Sequence, residues 1–176
     1  MLNHAYFYKD KLMRSWAAVA ADPQFRFIGP TFYSGLGPDL KDNTWHRLRC
    51  VSLSGKGDVS GWFEASVDRD TYMASDLLII NMLGRPNTAF ASGLREFMQK
   101  VFLVWNFQKM KFAVVIGNPA EVMYDRFITN YGGRVVGINY REIRLTDGKL
   151  YDMKLYEILR EDCLSAIGMS EVALTE

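Results

Sequence analysis

The sequence has 176 residues, of which 49% are hydrophobic and 23% are charged, as is typical of one soluble globular domain with a sizeable core. Its net charge of +1 provides no overall field that favours nucleic acid or an anionic membrane as a partner. No apolar run approaches the roughly 18 residues of a membrane span. Cys50 and Cys163 have neither metal-ligand spacing nor a disulfide framework. We therefore expect a cytoplasmic protein in a reducing compartment.

The first part of the chain predicts a helix, an irregular segment and a hairpin. Apolar side chains recur at helical spacing from Tyr8 to Val19, so an amphipathic helix is expected over residues 4–21. Residues 22–44 hold three of the five prolines and predict a short helix or an irregular loop over the core. Residues 46–70 contain two β-rich runs that flank the turn signal SGKGD, which predicts an antiparallel hairpin.

The middle of the chain predicts a β-α-β unit followed by a second helix. Residues 71–83, TYMASDLLIINML, are the most apolar strand candidate and are expected to be central. A long helix follows, because apolar side chains from Leu94 to Trp105 form a single stripe. Residues 111–117, KFAVVIG, predict a short buried strand that runs parallel to the first and splays from it at the C-terminal end. Asn118 as N-cap and Pro119 at the first position then open a helix.

A glycine pair separates this helix from a C-terminal hairpin. The helix is expected to end near Asn130, and Gly132 or Gly133 can take the left-handed conformation that terminates it. Residues 134–145 then predict a strand, TDGK a tight turn, and residues 150–159 a returning strand with alternating apolar and polar side chains. The whole order predicts an α/β chain with an antiparallel front, one crossover and a closing hairpin.

Residues 114–159 carry a recognisable succession of motifs. A strand leads to an Asn-capped helix, a glycine turn, a strand with VG, a DG turn and a final strand with Asp and Tyr. With the elements from about Val51 onward, this order resembles the GNAT superfamily of N-acetyltransferases. The resemblance implies a single acyltransferase domain over residues 1–176, of α/β (α+β) class. It implies a mixed, mostly antiparallel central sheet with a splayed parallel pair and flanking helices. The matching positions are Asn118, Gly132, Gly137, Asp147, Gly148, Asp152 and Tyr156.

The resemblance also implies acetyl-CoA, or another acyl-CoA, as co-substrate. In the family, a glycine-rich loop before the long helix binds the coenzyme A pyrophosphate through backbone N–H groups and the helix dipole. Here the stretch is LGRPNTAFASGL, in which Ala89 and Ala91 stand near the two small positions, with one extra residue after Arg85. The expected cofactor-binding residues are the end of the preceding strand, this loop and the N-cap of the next helix: Asn81, Met82, Leu83, Arg85, Asn87, Thr88, Ala89, Phe90, Ala91, Ser92, Gly93 and Asn118.

The reaction implied is direct attack of an amine on a thioester. It requires a base or a water chain, an N–H donor for the oxyanion, and, usefully, an acid for the leaving thiolate. We expect the donor at the strand end, Asn81 to Leu83. Glu64 is the expected base, with a solvent-facing strand glutamate as the alternative, and Asp68 and Asp76 rank behind it. Tyr124 is the expected acid, one turn before Ile128, where the family often has tyrosine; a packed aromatic is the alternative.

The acceptor is expected to be an amine of a small molecule or a protein. No nucleic acid, membrane or metal partner is expected, and a homodimer is left open. His46 begins a predicted strand and is interpreted as structural, while His4 is expected near a mobile terminus. Two other functions remain: a GNAT-fold protein that has lost catalysis and serves as a binding or regulatory module, and an enzyme that uses aminoacyl-tRNA, against which the neutral charge argues. Aromatic candidates for the acceptor groove, each with core packing as the alternative, are Trp16, Tyr33, Trp45, Trp62 and Phe63.

Overall fold

The structure, a computed structural model, describes residues 1–20, 22–27, 40 and 45–168. The loop interpretation of residues 22–44 therefore lies mostly outside the described residues. Across the described ranges, no helix is long and apolar enough to cross a membrane. The strands are β1 (Leu2–His4), β2 (Arg47–Leu53), β3 (Val59–Asp68), β4 (Met73–Asn81), β5 (Lys109–Val115), β6 (Arg134–Arg144) and β7 (Leu150–Leu159). The helices are α1 (Lys9–Ala20), α2 (Thr88–Gln99), α3 (Ala120–Asn130) and α4 (Arg160–Ala166), with a π-helical segment, Lys100–Val104, after α2.

The seven strands form one sheet in the order β1-β2-β3-β4-β5-β7-β6. Every neighbouring pair is antiparallel except β4 and β5, which are parallel because α2 carries the chain across between them. The expected fold class, a mixed and mostly antiparallel sheet with one parallel pair and flanking helices, is confirmed. The expected central strand is β4, the fourth of seven.

The parallel strands β4 and β5 pair only at their N-terminal ends. Met73 lies opposite Lys109 and Ala74 opposite Met110, and no further residues of the two strands are paired. Over the rest of their length, β4 continues its pairing with β3, while β5 continues its pairing with β7. The sheet therefore opens into a cleft at the C-terminal ends of β4 and β5, as the sequence predicted.

Apolar side chains fill both faces of the sheet in two clusters. One lies beneath α2 and α3 and includes Phe63, Phe97 and Phe112. The other lies beneath α1 and includes Trp16 and Trp62, whose rings meet edge to face with centroids 5.6 Å apart. Since neighbouring residues Trp62 and Phe63 belong to opposite clusters, β3 is buried on both faces, as expected near the centre of a sheet.

The chain reversal after α3 follows from the two glycines. Gly132 has φ +72°, the left-handed conformation, and Gly133 donates its N–H to the Ile128 carbonyl at 2.8 Å, closing a Schellman-type turn. Gly133 needs its lack of a side chain for another reason, because a Cβ would lie 2.7 Å from Ile158 and 2.9 Å from the Glu157 carbonyl. One glycine therefore provides the turn and the other the close approach to β7.

Candidate functional site

A groove of about 560 Å³ lies between α2 and α3, which begin directly after the diverging ends of β4 and β5. Its α2 wall includes Phe90, Ala91 and Arg95, and its α3 wall includes Val122 and Arg126. Two helix N-termini and two arginines therefore surround an elongated, partly apolar groove. Such a surface suits a ligand with an anionic portion and a long, weakly polar portion.

Asn81 and Asn87 organise the segment where the phosphate loop was expected. The Asn81 side chain donates to the Arg85 carbonyl at 2.8 Å and accepts from the Leu83 N–H and the Asn87 side-chain amide. Asn87 is the N-cap of α2, since its Oδ1 accepts the Phe90 N–H at 2.7 Å. Asparagine side chains thus build this turn, where the resemblance implied glycines.

This arrangement determines which amides of α2 are free for an anion. The Phe90 N–H is taken by Asn87 Oδ1, and the Ala91 N–H donates to the Asn87 carbonyl. Thr88 and Ala89 then carry the N–H groups of the first turn that have no partner among the described residues. Gly93, expected in the cradle, lies instead against β2, where a Cβ would sit 2.6 Å from the Ser52 Cβ. The candidate anion site therefore offers fewer backbone N–H groups than the sequence suggested.

The direction of the β4 amides follows from its pairing with β3. Met82 donates its N–H to the Ser60 carbonyl, so residues 78, 80 and 82 direct their N–H groups toward β3. Leu83 donates to Asn81 Oδ1. Of the three donors expected at the strand end, only Asn81 has its N–H on the β5 side, where the cleft opens. Ile79, which sequence reasoning missed, shares that direction because successive N–H groups of a strand alternate.

Glu64 lies on β3 with only 7% of its surface exposed, so the solvent-facing alternative is wrong. Its Oε1 accepts from Arg47 Nη1 at 2.8 Å and from Arg49 Nε at 3.1 Å. Two arginine side chains therefore hold this carboxylate on the β2–β3 pair. Asp68 lies at the turn after β3, where a hydrogen bond from the Thr71 side chain, and then those from the Thr71 and Asp70 N–H groups, hold its pKa below the ordinary value.

Tyr124 is buried on α3, and its ring lies against Phe112 and Tyr156 with centroids 5.3 and 6.0 Å away. Burial raises the pKa of Tyr124 well above its ordinary value of 10, so its hydroxyl keeps its proton at neutral pH. A group in this state can donate a proton but cannot act as a base. Its burial agrees with the packed-aromatic interpretation, and its role as the acid stays a prediction.

A polar cluster that sequence reasoning missed ties α3 to β7. Lys154 donates to Asp125 Oδ1 at 2.7 Å and to Glu121 Oε1 at 3.3 Å, and the Tyr156 hydroxyl donates to Asp125 Oδ1 at 2.9 Å. The Lys154 hydrogen bond lowers the pKa of Asp125, and the same contact raises the pKa of Lys154. The sequence did offer one signal for this cluster, because Lys154 and Tyr156 are two residues apart on β7 and therefore lie on the same face of the sheet. The cluster holds the α3 wall of the groove against the sheet.

The aromatic candidates for an acceptor groove divide into two groups. Trp16, Trp62 and Phe63 are buried in the core, which agrees with their alternative interpretation. Trp45 is 64% exposed and carries the Arg69 guanidinium 4.9 Å above its ring. Tyr33 lies outside the described residues. Cys50 and Cys163 are both buried free thiols, and burial raises the pKa of each, to about 12 and about 11.

Comparison with known proteins identifies the fold. No protein-family model matches the sequence, and no curated protein matches it significantly by sequence. Among solved structures, the Vibrio cholerae spermidine/spermine N-acetyltransferase SpeG is 21% identical, covers 70% of this chain and 71% of its own, and has a TM-score of 0.60. A mutant form of that enzyme is 22% identical over 72% of this chain and 73% of its own, with TM-score 0.60. A protein provisionally assigned as an acetyltransferase, with no organism stated, is 19% identical over 89% and 82%, with TM-score 0.65.

These likenesses show that the chain has the GNAT fold of the N-acetyltransferases. They confirm the fold expected from the succession of motifs between residues 114 and 159. At identities near 20% they establish the arrangement of strands and helices, and the chemistry has to be argued from the groove and the cleft.

Proposed function

We propose that this protein is an acyl-CoA-dependent N-acyltransferase that transfers an acyl group, acetyl in the first instance, to an amine of a small molecule or a protein by direct attack. The observation that carries the proposal is the splayed pair β4 and β5, because the two helices that line the groove, α2 and α3, each follow one of these strands in the chain. A thioester that enters between the strands has its coenzyme portion in the groove. The protein is proposed to act in the cytoplasm.

Different residues around the groove and the cleft are proposed to bind the coenzyme and to assist the reaction. The free N–H groups of Thr88 and Ala89, together with Arg85, are proposed to bind the pyrophosphate. Asn118, which directly precedes the groove residue Pro119, is proposed to contact the pantetheine arm. The Ile79 and Asn81 amides face the cleft and are proposed to stabilise the oxyanion. Tyr124 supplies the proton for the leaving thiolate.

A catalytically inactive binding module is the second candidate, and one observation favours it. Glu64, the expected base, is buried and its Oε1 is held by Arg47 and Arg49, so this carboxylate has a structural use on the β2–β3 pair. Such a module would bind acetyl-CoA in the same groove but would release no coenzyme A. Both candidate functions therefore predict binding of acetyl-CoA, but only the enzyme predicts release of coenzyme A.

The proposal is tested by titration calorimetry with acetyl-CoA and with coenzyme A, followed by a thiol-release assay with acetyl-CoA and spermidine. We expect saturable binding of both nucleotides and amine-dependent release of the thiol. Arg126→Ala removes a groove cation and is expected to weaken acetyl-CoA binding by about tenfold, as for a charged hydrogen bond. Arg144→Ala, on the far edge strand β6, is the matched control and should leave the affinity unchanged. Absence of binding would reject both candidates, and binding without turnover on any amine would favour the inactive module.

A further inference from the structure

A strained residue interrupts the central strand. Among the described residues, four other than glycine have positive φ: Tyr72, Asp76, Asn106 and Arg141. Tyr72 ends the β3–β4 turn, Asn106 precedes β5, and Arg141 lies in an irregular part of the edge strand β6. Asp76, with φ +50°, lies inside β4. A conformation that L side chains rarely adopt is therefore maintained in the central strand of the sheet.

The strain coincides with a β-bulge. The register between β3 and β4 shifts between Glu64, which lies opposite Leu78, and Ser66, which lies opposite Ser75. Two residues of β4, Asp76 and Leu77, therefore face one residue of β3. A bulge of this kind redirects a side chain that would otherwise follow the alternation of the strand. Glycine is the residue that normally occupies such a left-handed position without a steric penalty.

The Asp76 carboxylate is not used by the fold. Its side chain is exposed, and its one side-chain contact within the described ranges is a hydrogen bond from Ser75 Oγ at 3.4 Å. No described cation forms an ion pair with it. Glu64, the carboxylate first expected to serve the reaction, differs in both respects, because it is buried and paired with two arginines. Asp76 thus presents an uncompensated negative charge.

The location of Asp76 is the apex of the splayed cleft. It lies two residues beyond Ala74, the last residue of β4 that pairs with β5. The cleft-facing amides of Ile79 and Asn81 follow on the same strand. If the thioester carbonyl is held by these amides, the nucleophile must approach near the point where the strands separate. A negative charge at that point suits an ammonium group.

We propose that the Asp76 carboxylate binds the ammonium group of the acceptor at the apex of the cleft, and that the acceptor is a cationic alkylamine. This inference rests on the proposed N-acyltransferase function. The ammonium loses one proton to solvent water, and the neutral nitrogen then attacks the thioester carbonyl carbon. As the new C–N bond forms, the C–S bond breaks, the second nitrogen proton is lost, and the thiolate leaves as protonated coenzyme A. No oxidant or further reactant is needed.

Two substitutions at Asp76 separate this role from a structural one. Asp76→Asn removes the charge and keeps a residue that tolerates positive φ, while Asp76→Gly removes the side chain and relieves the strain. For both variants we expect a melting temperature that is unchanged or higher. We also expect unchanged acetyl-CoA affinity and a ten- to hundredfold increase in KM for spermidine and n-butylamine, the loss expected for a charged hydrogen bond. Tyr72→Gly relieves a similar φ in a turn and should leave KM unchanged.

A neutral nucleophile provides the second control. Hydroxylamine is largely uncharged at neutral pH, so its reaction with acetyl-CoA should be slowed much less by Asp76→Asn than the reaction of the alkylamines. The proposal is overturned if Asp76→Asn retains alkylamine KM within twofold, or if the unsubstituted protein binds acetyl-CoA and acetylates neither alkylamine. Failure of the unsubstituted protein to bind acetyl-CoA would instead reject the proposed function itself.

Discussion

Two neighbouring glycines after α3 are required for different physical reasons. Gly132 occupies the left-handed conformation, whereas Gly133 has no positive φ and lies against Ile158 and the Glu157 carbonyl. The sequence predicted that one of the pair would end the helix, and this is confirmed for Gly132. The need for the second glycine was not predictable, because it depends on how closely the turn approaches β7.

Replacement of Gly132 should destabilise the fold without altering the chemistry. Gly132→Ala introduces a Cβ at φ +72° and places it 2.5 Å from the Asp162 carbonyl oxygen, so we expect a loss of about 1 kcal/mol or more. Gly148→Ala is the matched control, since its φ is +79° but its Cβ would meet no atom within 4 Å. Urea unfolding should show the larger loss for Gly132→Ala. Full stability with abolished turnover per folded molecule would contradict this structural role.

Glu157 is a buried carboxylate with two cationic partners. Arg134 Nε donates to its Oε1 at 2.8 Å, and Lys109 forms an ion pair with its Oε2. The hydrogen bond from Lys109, and then that from Arg134, lower the pKa of Glu157 from its ordinary value of 4.5. Because the folded pKa is the lower one, the carboxylate contributes stability above about pH 4.5, and this contribution is lost as the pH falls through the folded pKa.

Glu157→Gln should therefore cost stability at neutral pH and less in acid. We expect a loss of about 1–3 kcal/mol at pH 7, since the partners lose a charged acceptor. The difference from the unsubstituted protein should shrink as the pH falls below about 4.5. Free energies of unfolding in urea at several pH values measure this. Glu142→Gln, on the exposed edge of β6, should stay within about 0.5 kcal/mol at pH 7. A pH-independent difference for Glu157→Gln would contradict the ion-pair explanation.

At the scale of single elements, α3 begins as the sequence predicted. Asn118 Oδ1 accepts the Ala120 N–H at 2.9 Å, and Pro119 already has helical dihedral angles. The Glu121 carboxylate reaches back to the Gly117 N–H at 3.2 Å, in the manner of a capping box. Pro119 also lines the groove, so the capped helix start lies beside the proposed ligand site.

Asn118→Ala should lower both the stability of the fold and the affinity for acetyl-CoA. We expect a stability loss of about 1 kcal/mol from the missing cap, together with weaker acetyl-CoA binding. Asn118→Asp keeps the capping oxygen but loses the amide donor, so its melting temperature should match that of the unsubstituted protein while its affinity falls. Thermal unfolding and calorimetry measure the two quantities. Unchanged values of both in Asn118→Ala would remove both roles.

Strand β4 should show alternating amide protection. The N–H groups of Leu78 and Ile80 donate to β3, whereas those of Ile79 and Asn81 face the open cleft. In the free protein we expect fast hydrogen exchange at Ile79 and Asn81 and slow exchange at their neighbours. Saturating acetyl-CoA should slow exchange at Ile79 and Asn81 selectively. Residue-resolved exchange by NMR tests this, and equal protection of all four amides before ligand addition would contradict a cleft.

The sequence was sufficient for the elements with strong periodicity. The α2, β4, α3 and β6–β7 predictions are confirmed because their stripes, caps and DG turn are local signals. Strand β1 and helix α4 were not predicted, since three and seven residues are too short for a periodic pattern. The first helix was predicted from residue 4, but residues Ala5–Tyr8 form a 3₁₀ turn before α1. Its cause is local, as the Tyr6 N–H donates to the His4 ring.

The candidate site was less predictable than the fold. Phe90 and Ala91 of the expected loop line the groove, but the asparagine network before them depends on side-chain geometry that no spacing reveals. Arg126 sits on the polar side of a helix, where a solvent-exposed cation is the ordinary interpretation. Glu64 was selected for its place beside the central strand, and its pairing with Arg47 and Arg49 across the β2–β3 register became evident only from the structure.

At the scale of the whole molecule, ligand binding should raise stability by mass action. A ligand that binds only the folded protein contributes about 2.7 kcal/mol at a concentration one hundred times its Kd. We therefore expect acetyl-CoA to raise the melting temperature in proportion to the logarithm of its concentration, with Arg126→Ala shifting the curve to higher concentrations and Arg144→Ala leaving it in place. Calorimetric scans over a ligand series measure this. A melting temperature independent of acetyl-CoA would contradict the proposed function.

The short contact between β4 and β5 has a mechanical consequence. The sheet consists of two halves, β1 to β4 and β5 to β7, which are joined at its centre by two residue pairs, Met73–Lys109 and Ala74–Met110. Backbone hydrogen bonding between the halves is therefore sparse, and they are joined largely by side chains packed beneath α2 and α3. The proposed thioester, once bound between the two halves, would supply the cross-links that the sheet itself lacks. We therefore expect acetyl-CoA to make the two halves resist separation as a single body.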